Sequence, residues 1–313
     1  IHKNLGEDYL GVVCKQFPRY SEYYGTIKES GIGLACEEAA RIILSENRPF
    51  SMETAACDEE YEPSSEYDSS FALQIFAARE AVFKILAKES LSIHEKLIVI
   101  LDMGSKIQQC INTDEYDNIK SVVNDYLKEG IAHTLDETRN LSDSGQFEDI
   151  SLQQGIRQIL YPYEEMEVLN PEWEVILKDI IDSLFEQMSD EEYNILNEEF
   201  GTYMVSRAYE YRQLLEYLVF RYFAKSIYDY DFLGKCQMLV TNFFVIRQMD
   251  IIRWLDNHRE YSFKDRMDVV HIFSRQVEYS EDNIENLYED FIFDDIFKTD
   301  SLIAILWIDS ENI

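Results

Sequence analysis

Along most of the chain apolar side chains recur three and four residues apart, the spacing that gathers one face of an α-helix. Phe71, Ile75, Phe76, Val82, Phe83 and Leu86 mark a long amphipathic helix, and Ser92-Ile93-His94-Glu95 has the spacing of a capping box opening the next. Asn170-Pro171-Glu172 supplies a cap, a proline at the first helical position and an early acid, which predicts a helix from about 171 to 187. Ser189-Asp190-Glu191-Glu192 and Ser262-Phe263-Lys264-Asp265 start two more. From Tyr203 to Ile227, and again from Met238 to Trp254, apolar residues wrap nearly the whole helix surface, so these two helices are expected at the centre of the C-terminal core. The segment from Glu278 to Asp300 mixes acids with Phe291, Phe293, Ile296 and Phe297 and reads as an amphipathic surface helix; Asp300 to Trp307 forms the last.

Only 5 Pro and 11 Gly punctuate these patterns. Gly25, Gly31 and Gly33 bracket a short β-hairpin or loop within residues 20–35, ahead of a helix from about Cys36 to Leu44. The fold class is therefore all-α, mostly a helical bundle, with one short hairpin. An acidic stretch from Cys57 to Ser70, with Asp58-Glu59-Glu60 and Pro63, reads as a solvated linker or loop. It separates a front region, residues 1–60, from a helical domain over residues 61–313 that is itself divided near 145–170.

Composition changes this picture in three places. With 46% apolar and 13% aromatic residues the chain has ample material for a core. A formal charge of -33, from 61 acidic and 28 basic side chains, excludes a general phosphate-backbone binder, so nucleic acid is not an expected partner. The same field favours a cationic partner such as a lysine-bearing protein surface; the plainer reading is a solubilising exterior. No membrane span is expected, because Thr241, Asn242, Arg247, Gln248, Asp250 and Arg253 interrupt the most apolar stretch. Five cysteines, at 14, 36, 57, 110 and 236, are too few and too scattered for a disulfide framework, which makes a reducing cytoplasm the expected setting. The chain opens on Ile1 in a polar stretch with no visible signal peptide and reads as a fragment whose beginning is missing.

Familiar catalytic patterns are missing: there is no P-loop, nucleophile elbow, helical histidine pair or close cysteine pair. The histidines at 2, 94, 133, 258 and 271 stand too far apart to share a metal and read as surface or cap residues. Gly31-Ile32-Gly33-Leu34-Ala35-Cys36 resembles a nucleotide-seating glycine turn only superficially, since such a fold alternates strands with helices. Glu37 and Glu38 behind it complement the helix dipole and would repel an anion. Cys14 and Cys36 taken alone are small core residues; with further thiols they suit an iron–sulfur centre, which normally requires four.

Leu5-Gly6-Glu7, Cys14-Lys15-Gln16-Phe17-Pro18-Arg19 and Cys36-Glu37-Glu38-Ala39-Ala40-Arg41 resemble signatures of the flagellin lysine-N-methylase family. The likeness continues through Phe76-Ala77-Ala78-Arg79-Glu80, Ser90-Leu91-Ser92-Ile93-His94-Glu95-Lys96-Leu97 and Glu216-Tyr217-Leu218-Val219-Phe220-Arg221-Tyr222-Phe223, and covers about Leu5 to Leu287. It implies methyl transfer from S-adenosylmethionine to lysines of flagellin or another surface protein, and an iron–sulfur cluster held by cysteines. By this resemblance Cys14 and Cys36 are candidate cluster ligands and Arg19 a candidate cofactor contact, with residues 1–60 the remnant of a larger cysteine-rich region. Leu10-Gly11-Val12-Val13 stands where family members often carry another cysteine.

A lysine methyltransferase must hold a neutral amine in line with the sulfonium methyl, in a desolvated channel with a group to take the proton. A buried Tyr or Glu suits. Tyr203, Tyr209, Tyr211, Tyr217 and Tyr222 either line such a channel or pack the core, and Arg212, Arg221 and Arg247 either pair buried acids or meet a cofactor carboxylate. The alternative function is a non-enzymatic acidic helical scaffold or adaptor that holds a basic partner.

Overall fold

A computed structural model describes residues 17–56, 68–143 and 150–311. Cys14, the Leu10–Val13 stretch, Cys57, His2 and most of the acidic stretch lie outside the described residues. The hairpin forms as expected: β1 (Arg19–Tyr24) pairs antiparallel with β2 (Ile27–Ile32), Tyr24 facing Ile27 across the turn. Gly25 takes a φ of 60° there, the left-handed backbone that the first position of a two-residue hairpin turn demands and that glycine adopts without a Cβ penalty.

The rest is helix upon helix. α1 (Glu37–Leu44), α2 (Ser69–Leu86), α3 (Ile93–Asn112), α4 (Ile119–Asp125) and α5 (Ile131–Asp143) come first. α6 (Leu152–Glu164), α7 (Pro171–Ile180), α8 (Asp190–Met204), α9 (Ala208–Tyr222) and α10 (Ser226–Asp229) follow. α11 (Phe232–Asp256), α12 (Phe263–Val277), α13 (Glu281–Phe293) and α14 (Thr299–Glu311) complete the chain. Ser92, Ser189 and Ser262 each close a capping box with the residue three places on, satisfying amides that the first helical turn leaves unpaired. Asp68 caps α2 through the amides of Ser70 and Phe71, at 2.8 and 3.1 Å.

Two expected helices differ in form. The one predicted over 171–187 is regular only to Ile180 and then widens into a π-turn over Ile181–Glu186. The apolar run from Tyr203 to Ile227 is broken by tight 3-10 turns at Val205–Arg207 and Phe223–Lys225. Arg207 holds the first break, donating to Glu210 at 2.7 Å and to the Tyr261 carbonyl at 2.5 Å, so the chain changes direction where the sequence continues its apolar pattern. Near the C-terminus, α13 leaves Ile292 and Phe293 exposed, while Ile296 and Phe297 turn back into the core.

α11 is the centre of the molecule. Its 25 residues are buried on nearly every face, and it packs against α3, α6, α7, α9 and α12. Each fully buried Leu, Ile or Phe of this kind contributes about 1.5–3 kcal/mol relative to an exposed one. α3 and α11 approach so closely that a Cβ on Gly104 would lie 2.5 Å from the Cys236 sulfur. No described helix is long and apolar enough to cross a membrane.

Two clusters of charged groups are buried and paired in this core. Asp309 of α14 meets His94 Nε2 at 2.6 Å, accepts from Asn197 and lies 3.9 Å from Arg247. Burial opposes its charge, yet Arg247 and His94 outweigh burial and bring the carboxyl down to about 2. His94 is thus a buried tie between α3 and α14, not the surface or cap residue expected; its partner lies too far along the chain for any local pattern to show. A second cluster joins Asp250 to Tyr211 at 2.6 Å and to Arg266 at 2.6 Å, with Glu210 on the other side of Arg266 at 3.0 Å.

Candidate functional site

The hairpin leans on α2 and α9 rather than standing clear of the bundle. Arg79 of α2 clasps Glu29 of β2 through both guanidinium nitrogens, at 2.6 and 2.5 Å, and its planar head covers the Phe76 and Phe220 rings at 5.1 and 5.7 Å. The extended segment after α1 is fastened to α9 in the same way. Arg212 donates to Asn47 and to the Arg48 carbonyl, at 2.8 and 3.1 Å, and Gln213 donates to the Glu46 carbonyl. That segment then lays Phe50 flat on Phe83, with ring centroids 4.1 Å apart and 7° between planes, and tilts it against Phe220 at 5.8 Å.

Two cavities open between these parts, and they share Phe50, Ser51 and Phe220. The larger, about 660 Å³, is a groove between the hairpin and the segment 50–56. The smaller, about 270 Å³, is lined by Tyr20, Gln213, Glu216, Tyr217 and Phe220 among others. Gln213, Glu216, Tyr217 and Phe220 repeat at i, i+3, i+4 and i+7, so one face of α9 forms the wall. Glu216 is buried and bonded to Arg212 at 2.7 Å. Burial pushes its carboxyl above the usual range, against the opposing pull of Arg212 and Lys96. Gln213 is 4% exposed, and its Oε1 has no hydrogen-bond partner among the described residues. The smaller cavity is thus lined by aromatic rings and by two residues, Glu216 and Gln213, whose polar heads are themselves buried.

A further network fixes the tyrosines of this wall. Glu278 accepts from Tyr217 and Tyr222 at 2.8 and 3.0 Å and pairs with Arg221 at 3.0 Å, while Arg221 lies over the Tyr20 ring at 4.4 Å. Burial holds the Tyr217, Tyr222 and Tyr20 hydroxyls above the phenolic range, so they stay protonated, and Tyr217 and Tyr222 donate to Glu278. Of the five tyrosines singled out in the sequence, Tyr217 alone lines the cavities. Tyr222 braces it from behind, Tyr211 belongs to the Asp250 cluster, Tyr203 accepts from the Tyr261 amide at 2.9 Å and Tyr209 is half-buried. Arg212, Arg221 and Arg247 all pair with buried acids.

Of the residues carried over from the resemblance, Arg19 is exposed at the head of β1 opposite Ile32, and Cys36 is the half-buried N-cap of α1 with Tyr279 beside it. Both stand at the same end of the hairpin, since the Gly33 amide donates to the Pro18 carbonyl at 2.8 Å. Cys110 and Cys236 are buried, and desolvation pushes both thiols up, Cys236 strongly, the opposite of what a thiolate ligand needs. Among the described residues no group of three or more His, Cys, Asp or Glu is placed to hold a metal ion. These residues alone thus do not make a cluster site, and Cys36 stands as one thiol with an open side.

Glu216 and Gln213 escape sequence reasoning because they share α9 with Glu210, Arg212 and Arg221, and nothing in the sequence tells which of these polar residues line a cavity. No curated protein and no solved structure matches the chain. The family model for the FliB lysine N-methylase C-terminal domain matches residues 79–305, from Arg79 through the α9 wall to Glu278 and beyond. With well over half of its 313 residues matched, this chain belongs to the FliB lysine N-methylase family.

Proposed function

We propose that the chain is a protein-lysine N-methylase acting on flagellin or a similar surface protein, and that the smaller cavity receives the lysine side chain. The observation that carries this reading is the α9 wall: Gln213 Oε1 without a partner and a buried Glu216, framed by Tyr20, Tyr217, Phe50 and Phe220. A lysine needs these features in turn. Aromatic faces attract the ammonium as it enters, the amide oxygen accepts one of its N–H groups, and the carboxylate takes the proton that must leave before the amine is a nucleophile. A carboxyl whose affinity for protons is raised by burial is better matched to that task than an exposed one.

S-adenosylmethionine, which the resemblance implies, supplies the methyl group when bound. The iron–sulfur cluster belongs to the same expectation, with Cys14 and Cys36 as ligands and Arg19 as a cofactor contact. No step at the α9 wall depends on the cluster. The acidic exterior supports a basic protein surface as the partner, because 61 carboxylates against 28 basic groups set up a field that speeds its encounter.

The test is transfer of isotopically labelled methyl groups from S-adenosylmethionine to purified flagellin by the anaerobically prepared chain, read as methyl-lysine by mass spectrometry. Glu216→Gln should lower the turnover rate by about 10²–10⁴, and Gln213→Leu should chiefly raise KM. Tight binding of flagellin with no transfer under any preparation would favour the scaffold reading.

A further inference from the structure

Part of the smaller cavity's lining lies outside the helices and the hairpin. Between Leu44, buried at the end of α1, and Phe50, stacked on Phe83, the chain runs through Ser45 to Pro49 without helix or strand, and all five of these residues are exposed. Arg48, Pro49 and Phe50 of this strap line the cavity together with the α9 wall. Three hydrogen bonds fasten the strap, from two neighbouring residues of α9. Arg212 donates to Asn47 Oδ1 and to the Arg48 carbonyl, at 2.8 and 3.1 Å, and Gln213 Nε2 donates to the Glu46 carbonyl. A segment held by a few side-chain hydrogen bonds, with no buried side chain of its own between its anchors, opens at a lower free energy than the helices around it.

The same two residues govern the polar groups beneath it. The other arm of Arg212 holds Glu216 at 2.7 Å. Gln213, by giving its nitrogen to the Glu46 carbonyl, turns its oxygen away from that carbonyl and leaves it without a partner among the described residues. Glu216 and Gln213 are 3% and 4% exposed, so an amine arriving from solvent does not reach them while the strap lies shut. Taking the smaller cavity as the lysine site, we infer that residues 45–50 are a lid, which lifts from Arg212 and Gln213 to admit the amine and settles back over it. Closure excludes water from the bound amine. It also restores the three bonds that hold the Gln213 amide and the Arg212 guanidinium in place, so the acceptor and the carboxylate are set only when the site is covered.

The test uses the full chain and glutamyl endopeptidase, which cuts after Glu46, at the bond whose carbonyl Gln213 holds while the strap is shut. n-Butylamine stands in for the lysine side chain and n-butanol for its uncharged counterpart. Mass spectrometry reads cleavage at Glu46 against cleavage at Glu53, which is exposed beyond Phe50. A lid predicts slow cleavage at Glu46 in the free chain and protection of about tenfold by saturating n-butylamine, with Glu53 unaffected. Asn47→Ala, which removes one latch at a residue that does not line the cavity, should speed cleavage at Glu46 about tenfold. A rate at Glu46 that the variant or n-butylamine leaves unchanged, equal protection by n-butanol, or a Glu46 bond that is never cut overturns the proposal. Methyl transfer to intact flagellin is measured in parallel. Transfer without protection leaves the methylase reading standing and removes the lid; protection without any transfer does the reverse.

Discussion

Glu216 and Asp309 show how one residue type is driven in opposite directions by its surroundings. Both carboxyls are buried, but Glu216 has a single guanidinium at 2.7 Å and is pushed up, whereas Asp309 has His94, Asn197 and Arg247 around it and is brought down to about 2. For Glu216 acting as a base, the rate of methyl transfer should fall on the acid side at a pH above that of an ordinary glutamate. A pH–rate profile of Glu216→Gln should lack that limb. For Asp309 the sign is the usual carboxylate one: its folded value lies below its unfolded value, so the stabilisation is complete above about pH 4 and is lost as pH falls towards about 2. Asp309→Ala leaves Arg247 and His94 buried without their anion and should cost about 3–5 kcal/mol, measured by urea unfolding at neutral pH. The variant's stability should also respond less to acid between pH 4 and 2.

At the scale of elements, the closest join in the core is the crossing of α3 and α11. Gly104→Ala places a methyl group within 2.5 Å of the Cys236 sulfur, and overpacking of this kind costs about 1–3 kcal/mol. Combining Gly104→Ala with Cys236→Ala should recover much of the loss, a coupling that thermal melts of the two single variants and the double variant would reveal. The elements themselves were largely legible in the sequence. The capping boxes at Ser92, Ser189 and Ser262 could be read because donor and acceptor lie within three residues of each other, and the hairpin because Gly25 marks its turn. What could not be read depends on distant partners. The break at Val205–Arg207 is held by Tyr261, His94 is buried by Asp309, and the α9 wall becomes a cavity only when the hairpin and segment 50–56 are laid across it. The resemblance pointed to Cys14 and Cys36. Cys14 lies outside the described residues, while of the two polar residues lining the smaller cavity Gln213 lies in no quoted motif and Glu216 only opens the family-like stretch Glu216–Phe223, which says nothing of a cavity.

For the whole molecule, the excess of acid sets the terms on which the proposed basic substrate would arrive. Encounter driven by such a field weakens as salt screens it over about 8–10 Å near physiological ionic strength. The KM for flagellin should therefore rise as salt is increased from low to physiological strength, with kcat little changed. A flat KM would place recognition in uncharged contacts alone.

The clasp between Arg79 and Glu29 bears on where this family's folding unit begins. The span shared with the family opens at Arg79, ten residues inside α2, whereas the carboxylate that neutralises that arginine belongs to the hairpin fifty positions earlier. An expression boundary drawn at the shared span would sever a helix, strand a cation and strip one wall from both cavities. The front hairpin is therefore part of the body it covers, and swapping front ends between relatives would need to carry the matching arginine along.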